Sequence, residues 1–101
     1  MKERPQDEFN IRLEALTEAL RGLKKTEQLK AFLTDLCTPN ELVALADRWE
    51  VAQRVSQGQP YREIQEQTQV STATVTRVSR SLKFGDGYKQ ALKSFKGERR
   101  G

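Results

Sequence analysis

A chain of 101 residues, 36% hydrophobic and 32% charged, is long enough for one domain, but a single copy offers little apolar surface for a core. It contains one cysteine and no histidine, which excludes a disulfide framework and the usual zinc sites, and it has no apolar run long enough to span a membrane. Residues 1–10 lack the apolar segment of a secretory signal, so the cytoplasm is the expected location.

The charge is distributed unevenly along the chain. The net charge is +4, yet residues 1–57 contain 9 Lys and Arg against 10 Asp and Glu, whereas residues 58–101 contain 9 against 4. Between Gln67 and Gly85 there is no acidic residue. A basic C-terminal half with an acid-free stretch is what a phosphate-binding surface requires, and the alternative is a chance cluster on a solvated face.

Two helices are predicted in the N-terminal part of the chain, over about residues 7–24 and 26–36. Apolar residues recur there every three or four positions, which is the spacing of one face of a helix. In the first helix they form a stripe about as narrow as a coiled-coil seam. The predicted apolar faces consist of Phe9, Leu13, Leu16, Leu20 and Leu23 in the first helix and of Leu29, Phe32, Leu33 and Leu36 in the second.

The start of a third helix has the clearest local signal in the sequence, the stretch TPNE. Thr38 is predicted as the N-cap, Pro39 as the first helical residue and Glu41 as the carboxylate that reaches back to the cap. Gly58 is predicted to end this helix. The residues predicted to face inward are Leu42, Leu45, Trp49, Ala52 and Val55.

A short helix over about residues 61–68 and a second helix after it are predicted next. The second contains VSTATVTRVSRSL, whose β-branched residues suggest a strand. Val75, Val78 and Leu82 are spaced by three and four positions, however, which favours a helix with Ser71 as its N-cap. After the Gly-rich stretch FGDGY, a last helix is marked by Tyr88, Leu92 and Phe95. The sequence thus predicts an all-α fold of about six helices, with an embedded helix-turn-helix at about residues 61–83.

A helix-turn-helix of this composition is suited to double-stranded DNA. Its second helix is expected to lie in the major groove while the first crosses the backbone. Threonine offers base edges a donor, an acceptor and a methyl group, and hydroxyl, guanidinium and ammonium groups suit phosphate oxygens. An ordinary solvated helix is the alternative. The polar face opposite the valines consists of Thr72, Thr76, Ser79, Arg80 and Lys83.

Three stretches in this order and spacing, TPNELVALADRW, YREIQEQT and STATVTRVSRSLKFGDGY, resemble the Trp repressor superfamily. They are most similar to its YerC/YecD-like branch of small regulators, and the resemblance covers about residues 38–92. It implies a single domain over residues 1–101 and an intertwined, all-helical homodimer with dimerisation helices at about residues 7–57. Two DNA-reading heads of such a dimer meet successive major grooves.

In the tryptophan-binding members of the family, DNA is contacted by the first helix of the pair and by the start of the second. The resemblance gives these roles to Arg62, Gln65, Thr72, Ala73, Thr74 and Thr76, and the polar face adds Arg80 and Lys83. Gln65 stands where a lysine is found, which weakens a phosphate contact there. Gln69 stands where the turn commonly has glycine, and a positive φ at glutamine costs about 1 kcal/mol.

The same members hold tryptophan between two arginines, with a threonine of the partner chain and a serine nearby. The matching positions here are Thr38, Arg48, Arg77 and Ser81. Val78, however, stands where the tryptophan-binding repressor has a glycine that leaves space for the indole. The resemblance therefore implies a protein that does not use tryptophan as corepressor. The four positions are then expected either to hold another, unknown small-molecule effector or to leave Arg48 and Arg77 in structural ion pairs, with Asp47 or Glu50 across the dimer.

Together these patterns predict a sequence-specific DNA-binding regulator that acts as a dimer, by repression, and needs no cofactor. An enzyme is not expected, because the sequence has no histidine, no paired acids in an apolar setting and no Gly-rich loop that would cradle a phosphate. Cys37 is expected to be a small buried residue rather than a nucleophile. Two alternatives stay open, a helical protein–protein interaction module and a nonspecific nucleic-acid binder.

Overall fold

The computed structural model describes the backbone of residues 5–100 and the side chains of residues 6–95. This part of the chain forms six α-helices and no strand, so the predicted all-α fold is confirmed. Within it, no helix is both long and apolar enough to cross a membrane. The helices are α1 (Pro5–Gly22), α2 (Thr26–Leu36), α3 (Pro39–Ser56), α4 (Tyr61–Thr68), α5 (Thr72–Phe84) and α6 (Gly87–Arg100).

The helix boundaries follow local sequence signals closely. α2 and α4 have the predicted bounds, and α3 begins at Pro39, whose missing amide costs nothing in the first turn of a helix. α1 begins at Pro5 and ends at Gly22, slightly before the predicted bounds at both ends, because proline also suits its first turn and glycine weakens its last. Gly58, just beyond α3, has a φ of +85°, a conformation that glycine adopts readily.

The first compact unit spans Met1–Pro39 and contains α1 and α2. None of its described side chains is buried. In the predicted stripe of α1, Phe9 and Leu13 are 56% and 47% exposed, and Leu36 at the end of α2 is 49% exposed. Cys37 is half-buried rather than buried, and its N–H donates to the Leu33 oxygen at 3.0 Å, which ends α2. The apolar faces of this unit are therefore only partly covered by the chain itself.

The second compact unit spans Asn40–Gly101 and contains the core of the described chain. The core joins the second half of α3 to α4, to the turn after α4 and to α5. Its buried residues are Val51, Ala52, Ile64, Val70, Val75 and Val78, and Trp49, Val55 and Tyr88 pack against them. This cluster fixes α5, the helix with the unusual composition, on its valine face.

Two further features of this unit concern α3 and α6. The ring of Trp49 meets that of Phe95 edge to face, with 5.6 Å between centroids and 81° between planes, a favourable geometry for two aromatic rings. Ala52 is buried as predicted, but Leu45, also predicted to face inward, is 42% exposed and Val43 is 58% exposed. The prediction for Leu45 was wrong for the single chain, because much of this side chain stays exposed within one copy.

Arg54, near the end of α3, links that helix to α4. Its Nε lies 2.7 Å from the Glu50 carboxylate, and its Nη1 donates to Gln59 at 3.3 Å and to the side chain of Gln67. Gln59 in turn donates to Glu63 at 3.2 Å. Arg54 is partly buried, so these charge-assisted bonds hold the α3–α4 turn more firmly than surface ion pairs do.

Candidate nucleic-acid interface

The turn between α4 and α5, residues 69–71, is closed by Gln69 in the left-handed conformation, with φ 65° and ψ 16°. Its N–H donates to the Gln65 oxygen at 2.8 Å, which ends α4, and its side-chain amide donates to the Glu66 oxygen at 3.0 Å. Gln69, at the position where the resemblance implies a glycine, thus does adopt a positive φ. The backbone hydrogen bond and the side-chain hydrogen bond of Gln69 offset part of the conformational cost of the positive φ.

Buried aliphatic side chains hold α4 and α5 together. Ile64 is fully buried in α4, Val70 is 8% exposed in the turn, and Val75 and Val78 are 1% exposed in α5. Burying a side chain of this size contributes roughly 1.5–3 kcal/mol, so one face of each helix is firmly committed to the core. The opposite face of α5 is consequently left to solvent.

The start of α5 is capped as predicted. The Ser71 hydroxyl accepts the Thr74 N–H at 3.2 Å, and it also donates to the Thr74 hydroxyl at 3.1 Å. Such an N-cap stabilises a helix by about 1 kcal/mol, which compensates for the poor helix propensity of the threonines. Thr74, predicted to contact DNA, is half-buried and engaged in the cap.

The outward face of the α4–α5 pair carries most of the residues predicted to bind DNA. Gln65 is half-buried, like Thr74. The exposed members are Arg62, Thr72, Ala73, Thr76, Arg80 and Lys83. No acidic residue lies in α5, and the side chains at its N-terminal end are short. This surface therefore offers hydroxyl donors and acceptors at one end and positive charge toward the other.

Two hydrogen bonds between side chains cross from α4 to α5, and sequence reasoning missed both. The Gln65 amide Nε2 donates to the Thr72 hydroxyl, and the Tyr61 hydroxyl bonds to the Ser79 hydroxyl. Neither pair has a sequence signature, because the partners lie on different helices and meet only at the angle that the turn imposes. Gln65 and Thr72, predicted as separate contacts, are in fact one connected pair.

Of the four residues that the resemblance relates to an effector, Arg48, Arg77 and Ser81 lie in the second unit, and Thr38, expected to act from the partner chain, lies in the first. Arg48 is half-buried, and Thr38 is exposed. Arg77 opens onto the same shallow groove as Ala73, Thr76 and Arg80, whereas Ser81 lines a different one with Gly85, Gly87 and Tyr88. Arg77 thus adds its charge to the outward face of α5.

Val78 and the two arginines bear on the question of tryptophan. The Val78 isopropyl group is 1% exposed and belongs to the core cluster, so the space beside α5 at this point is filled by the chain itself. Among the described side chains of one protomer, neither Arg48 nor Arg77 makes an ion pair. Glu50, one of their expected partners, is bound by Arg54 at 2.7 Å. The ion pairs across a dimer stay a prediction.

The end of α5 is closed by a tight backbone approach. The Gly85 N–H donates to the Ser81 oxygen at 2.8 Å, and a Cβ on Gly85 would lie 2.8 Å from that same oxygen. Lys89 from α6 donates to the Lys83 oxygen at 3.2 Å, and the Lys83 ammonium lies 5.7 Å from the centroid of the Phe84 ring. Two positive charges therefore stand at the negative end of the α5 dipole, where they are favourable.

Comparison with known proteins places these features in one family. Residues 11–96 match the family described as Trp repressor protein. The Bacillus subtilis (strain 168) protein "Uncharacterized protein YerC" is 43% identical over 81 residues, which are 79% of this chain and 78% of that protein. A "Trp operon repressor homolog" from Actinobacillus succinogenes is 40% identical over 84 residues, 82% of this chain and 79% of that protein. The crystal structure of a TrpR-like protein from Eubacterium eligens is similar with a TM-score of 0.77 and 40% identity, covering 81% of this chain and 86% of that chain.

Proposed function

Because the chain belongs to the Trp repressor family, in its YerC-like branch, we propose that it is a sequence-specific DNA-binding regulator that represses transcription as a homodimer. The family is one of regulators rather than enzymes. The observation that carries the proposal is the exposed face of α5, which has no acidic residue and lies opposite the buried Val75 and Val78. The proposed partner is double-stranded DNA, and the proposed location is the cytoplasm, where a bacterial chromosome lies.

In this proposal the N-terminal end of α5 enters the major groove. Thr72 and Ala73 have short, exposed side chains that let the helix approach base edges, and Thr76 follows one turn later. Their hydroxyl and methyl groups provide the direct readout of bases. Thr74 supports this end indirectly, because it completes the Ser71 cap.

Phosphate contacts come from the positive side chains around that end. Arg62 projects from α4, and Arg80 and Lys83 from the later turns of α5, all of them exposed. Guanidinium and ammonium groups bind phosphate oxygens without reading sequence, and they fix the position of the helix in the groove. Arg77, in the groove shared with Ala73 and Arg80, joins this set.

A second copy of the chain is the proposed cover for the apolar residues that one copy leaves exposed. These residues lie on α1, at the end of α2 and in the first half of α3, within the predicted dimerisation helices of residues 7–57. Exposed apolar groups in this density are typical of a surface that another chain buries. The most exposed are Phe9, Ile11, Leu13, Leu36, Val43 and Leu45.

We further propose that tryptophan is not the corepressor. Supporting this, Val78 fills its space in the core, and Arg77 and Ser81 open onto different grooves. Isothermal titration of the purified protein with tryptophan is expected to show no saturable heat at micromolar concentrations. A saturable, micromolar isotherm would contradict this part of the proposal and leave the DNA-binding part standing.

The main experiment selects bound fragments from genomic DNA and then measures gel shifts on the best fragment at fixed salt. Thr72→Ala is expected to weaken binding to the selected fragment much more than to unrelated DNA, since base contacts are worth about 1–3 kcal/mol each. Arg80→Ala is expected to weaken both equally and to lower the salt slope by about one. Lys93→Ala, which removes an exposed charge from α6, is the matched control for net charge.

The other outcomes identify the alternatives. An equal, steeply salt-dependent affinity for all DNA would indicate a nonspecific nucleic-acid binder. No binding to any DNA would favour a helical protein–protein interaction module.

A further inference from the structure

We propose that Gln65 sets the base preference of Thr72, so that the two residues read DNA as a pair; this rests on the proposed function. In this role Gln65 is a positioning residue for specificity, rather than a phosphate contact of its own. The proposal begins from the bond between the Gln65 amide on α4 and the Thr72 hydroxyl at the first residue of α5.

Both partners of this bond have a fixed backbone. The Gln65 carbonyl accepts the Gln69 N–H at 2.8 Å, so the end of α4 holds it in place. Thr72 directly follows the N-cap residue Ser71. Val70, which precedes Ser71, is 8% exposed and belongs to the core. The distance between the two side chains is therefore set by the turn, and the bond fixes the Thr72 rotamer before DNA arrives.

The direction of the bond decides what Thr72 offers to DNA. A threonine hydroxyl carries one hydrogen and two lone pairs, and Gln65 occupies a lone pair with its N–H. The hydroxyl hydrogen is then left to donate away from Gln65, and Thr72 is exposed. Guanine, adenine and thymine each present an acceptor in the major groove, whereas cytosine presents only its amino donor. Thr72 held in this way favours the first three bases and disfavours cytosine.

The surroundings of Gln65 do not favour a direct phosphate contact. Its side chain is half-buried and neutral, and one of the N–H groups of its amide is bonded to Thr72. The exposed carboxylates Glu63 and Glu66 lie on the same short helix and repel phosphate. Arg62 and Arg80 are the better phosphate ligands on this surface.

The chain provides a matched control for this idea. Tyr61 and Ser79 form the other side-chain hydrogen bond between α4 and α5, at a distance from the N-terminal end of α5. Tyr61→Phe removes that bond and leaves Thr72 tethered. If general rigidity between the two helices were what matters, losing either bond would have the same effect on base preference.

The test is selection from randomised duplex DNA with the full chain, in five forms. These are the unchanged protein, Gln65→Ala, Thr72→Val, the double variant and Tyr61→Phe. The unchanged protein is expected to disfavour cytosine at one position of each half-site. Gln65→Ala is expected to relax that position by about fivefold to tenfold, the effect of one hydrogen bond, with other positions unchanged. The double variant is expected to match Thr72→Val, because Gln65 acts through the Thr72 hydroxyl.

Gln65→Glu gives an independent test, because it is expected to reverse the preference against cytosine. A carboxylate only accepts, so the Thr72 hydroxyl donates to it and turns its lone pairs outward. The disfavoured position is then expected to shift toward cytosine by about fivefold or more relative to the unchanged protein. The added negative charge lowers the affinity for all sequences equally, and normalising to a reference duplex removes that effect.

Three results overturn the inference. One is an unchanged selection profile for Gln65→Ala, and a second is an equal loss of affinity for every duplex, which would make Gln65 a phosphate contact. The third is relaxation of the same position by Tyr61→Phe. In each case the unchanged protein still selects a sequence, so the proposed function survives; if the unchanged protein selects none, the proposed function itself fails and the inference with it.

Discussion

The two compact units of the molecule differ in where their apolar side chains go. In the second unit, Asn40–Gly101, valines, an alanine, an isoleucine and a leucine are removed from water within one copy of the chain. In the first unit none of the described side chains is buried, although α1 and α2 carry regular apolar stripes. Similar helical patterns thus have different outcomes, and the difference lies in whether the chain supplies its own cover.

The difference suggests two separate sources of stability. The α4–α5 pair is held by a core that one copy builds together with α3, and the Arg54 bonds hold the α3–α4 turn that precedes it. The stripes on α1 and α2 gain most of their stabilisation when a second copy covers them, as proposed above. A substitution in one region is therefore expected to change folding, and a substitution in the other to change association.

The largest effect is expected for Ile64→Ala. Ile64 is fully buried between α4 and the helices around it, so removing its methyl groups leaves a cavity in the core. The free energy of unfolding, measured by urea denaturation at fixed protein concentration, is expected to fall by about 2–5 kcal/mol. Ile64→Val, the conservative control, is expected to cost about 0.5–1.5 kcal/mol. If Ile64→Ala lowered the free energy of unfolding by less than about 0.5 kcal/mol, the description of a self-contained core would be contradicted.

An intermediate effect is expected for Leu13→Ser in α1. Leu13 is 47% exposed in one copy, so a partner can bury the remaining half of its surface. The loss is about 1 kcal/mol per copy and about 2 kcal/mol per dimer. That raises the dimer dissociation constant roughly 30-fold in analytical ultracentrifugation.

The control for this substitution is Ala15→Ser on the same helix. Ala15 is exposed and lies almost opposite Leu13 around the helix, so the change tests the cost of serine in α1 without touching the stripe. It is expected to leave the dissociation constant within a factor of about three. A monomeric unchanged protein, or equal effects of the two substitutions, would show that the stripe of α1 does not meet a second copy.

Smaller effects on stability are expected at two glycines, one in each compact unit. A Cβ at Gly85, beyond α5, would lie 2.8 Å from the Ser81 backbone oxygen, which cannot move without disturbing the helix end. Gly85→Ala is expected to cost about 1–2 kcal/mol of unfolding free energy. At Gly22, the last residue of α1, a Cβ meets nothing within 4 Å, so Gly22→Ala is expected to stabilise by about 0.5 kcal/mol. Thermal denaturation of both variants measures the two changes in stability. A change of the same sign for both variants would contradict the expected difference.

Much of the fold was predictable because its signals are local. TPNE predicted the start of α3 at Pro39, and the spacing of Val75 and Val78 predicted a helix where β-branched residues suggest a strand. Both valines are buried, and Ser71 caps the helix as predicted. Periodicity could not predict that Leu45 is exposed, since a pattern shows which residues share a face but not what covers that face.

In the candidate site, the sequence predicted most of the exposed residues but not the hydrogen bonds between side chains. Arg62, Thr76 and Arg80 are exposed, as a DNA contact requires, and their role stays a prediction. The bonds from Gln65 to Thr72 and from Tyr61 to Ser79 join residues on different helices. Such bonds depend on the angle between α4 and α5, which neither composition nor spacing specifies.

The smallest effect is expected at Gln69, where the resemblance implies a glycine and the backbone has a positive φ. Gln69 has a φ of 65°, a conformation that costs a non-glycine residue about 1 kcal/mol. Glycine relieves that cost but loses the side-chain bond to the Glu66 oxygen and gains freedom in the unfolded chain. Gln69→Gly is therefore expected to stabilise by only about 0.5 kcal/mol in urea denaturation.

Gln69→Ala separates the two contributions. It keeps the strain at φ 65° and removes the side-chain bond, so it is expected to destabilise by about 0.5 kcal/mol. If both variants lost stability equally, the side-chain bond rather than backbone strain would dominate this turn. Since the Gln69 N–H also closes α4 onto the carbonyl of Gln65, a relaxed turn would move Gln65 relative to Thr72. Gln69→Gly is thus expected to keep the base preference only if the glycine retains the left-handed conformation.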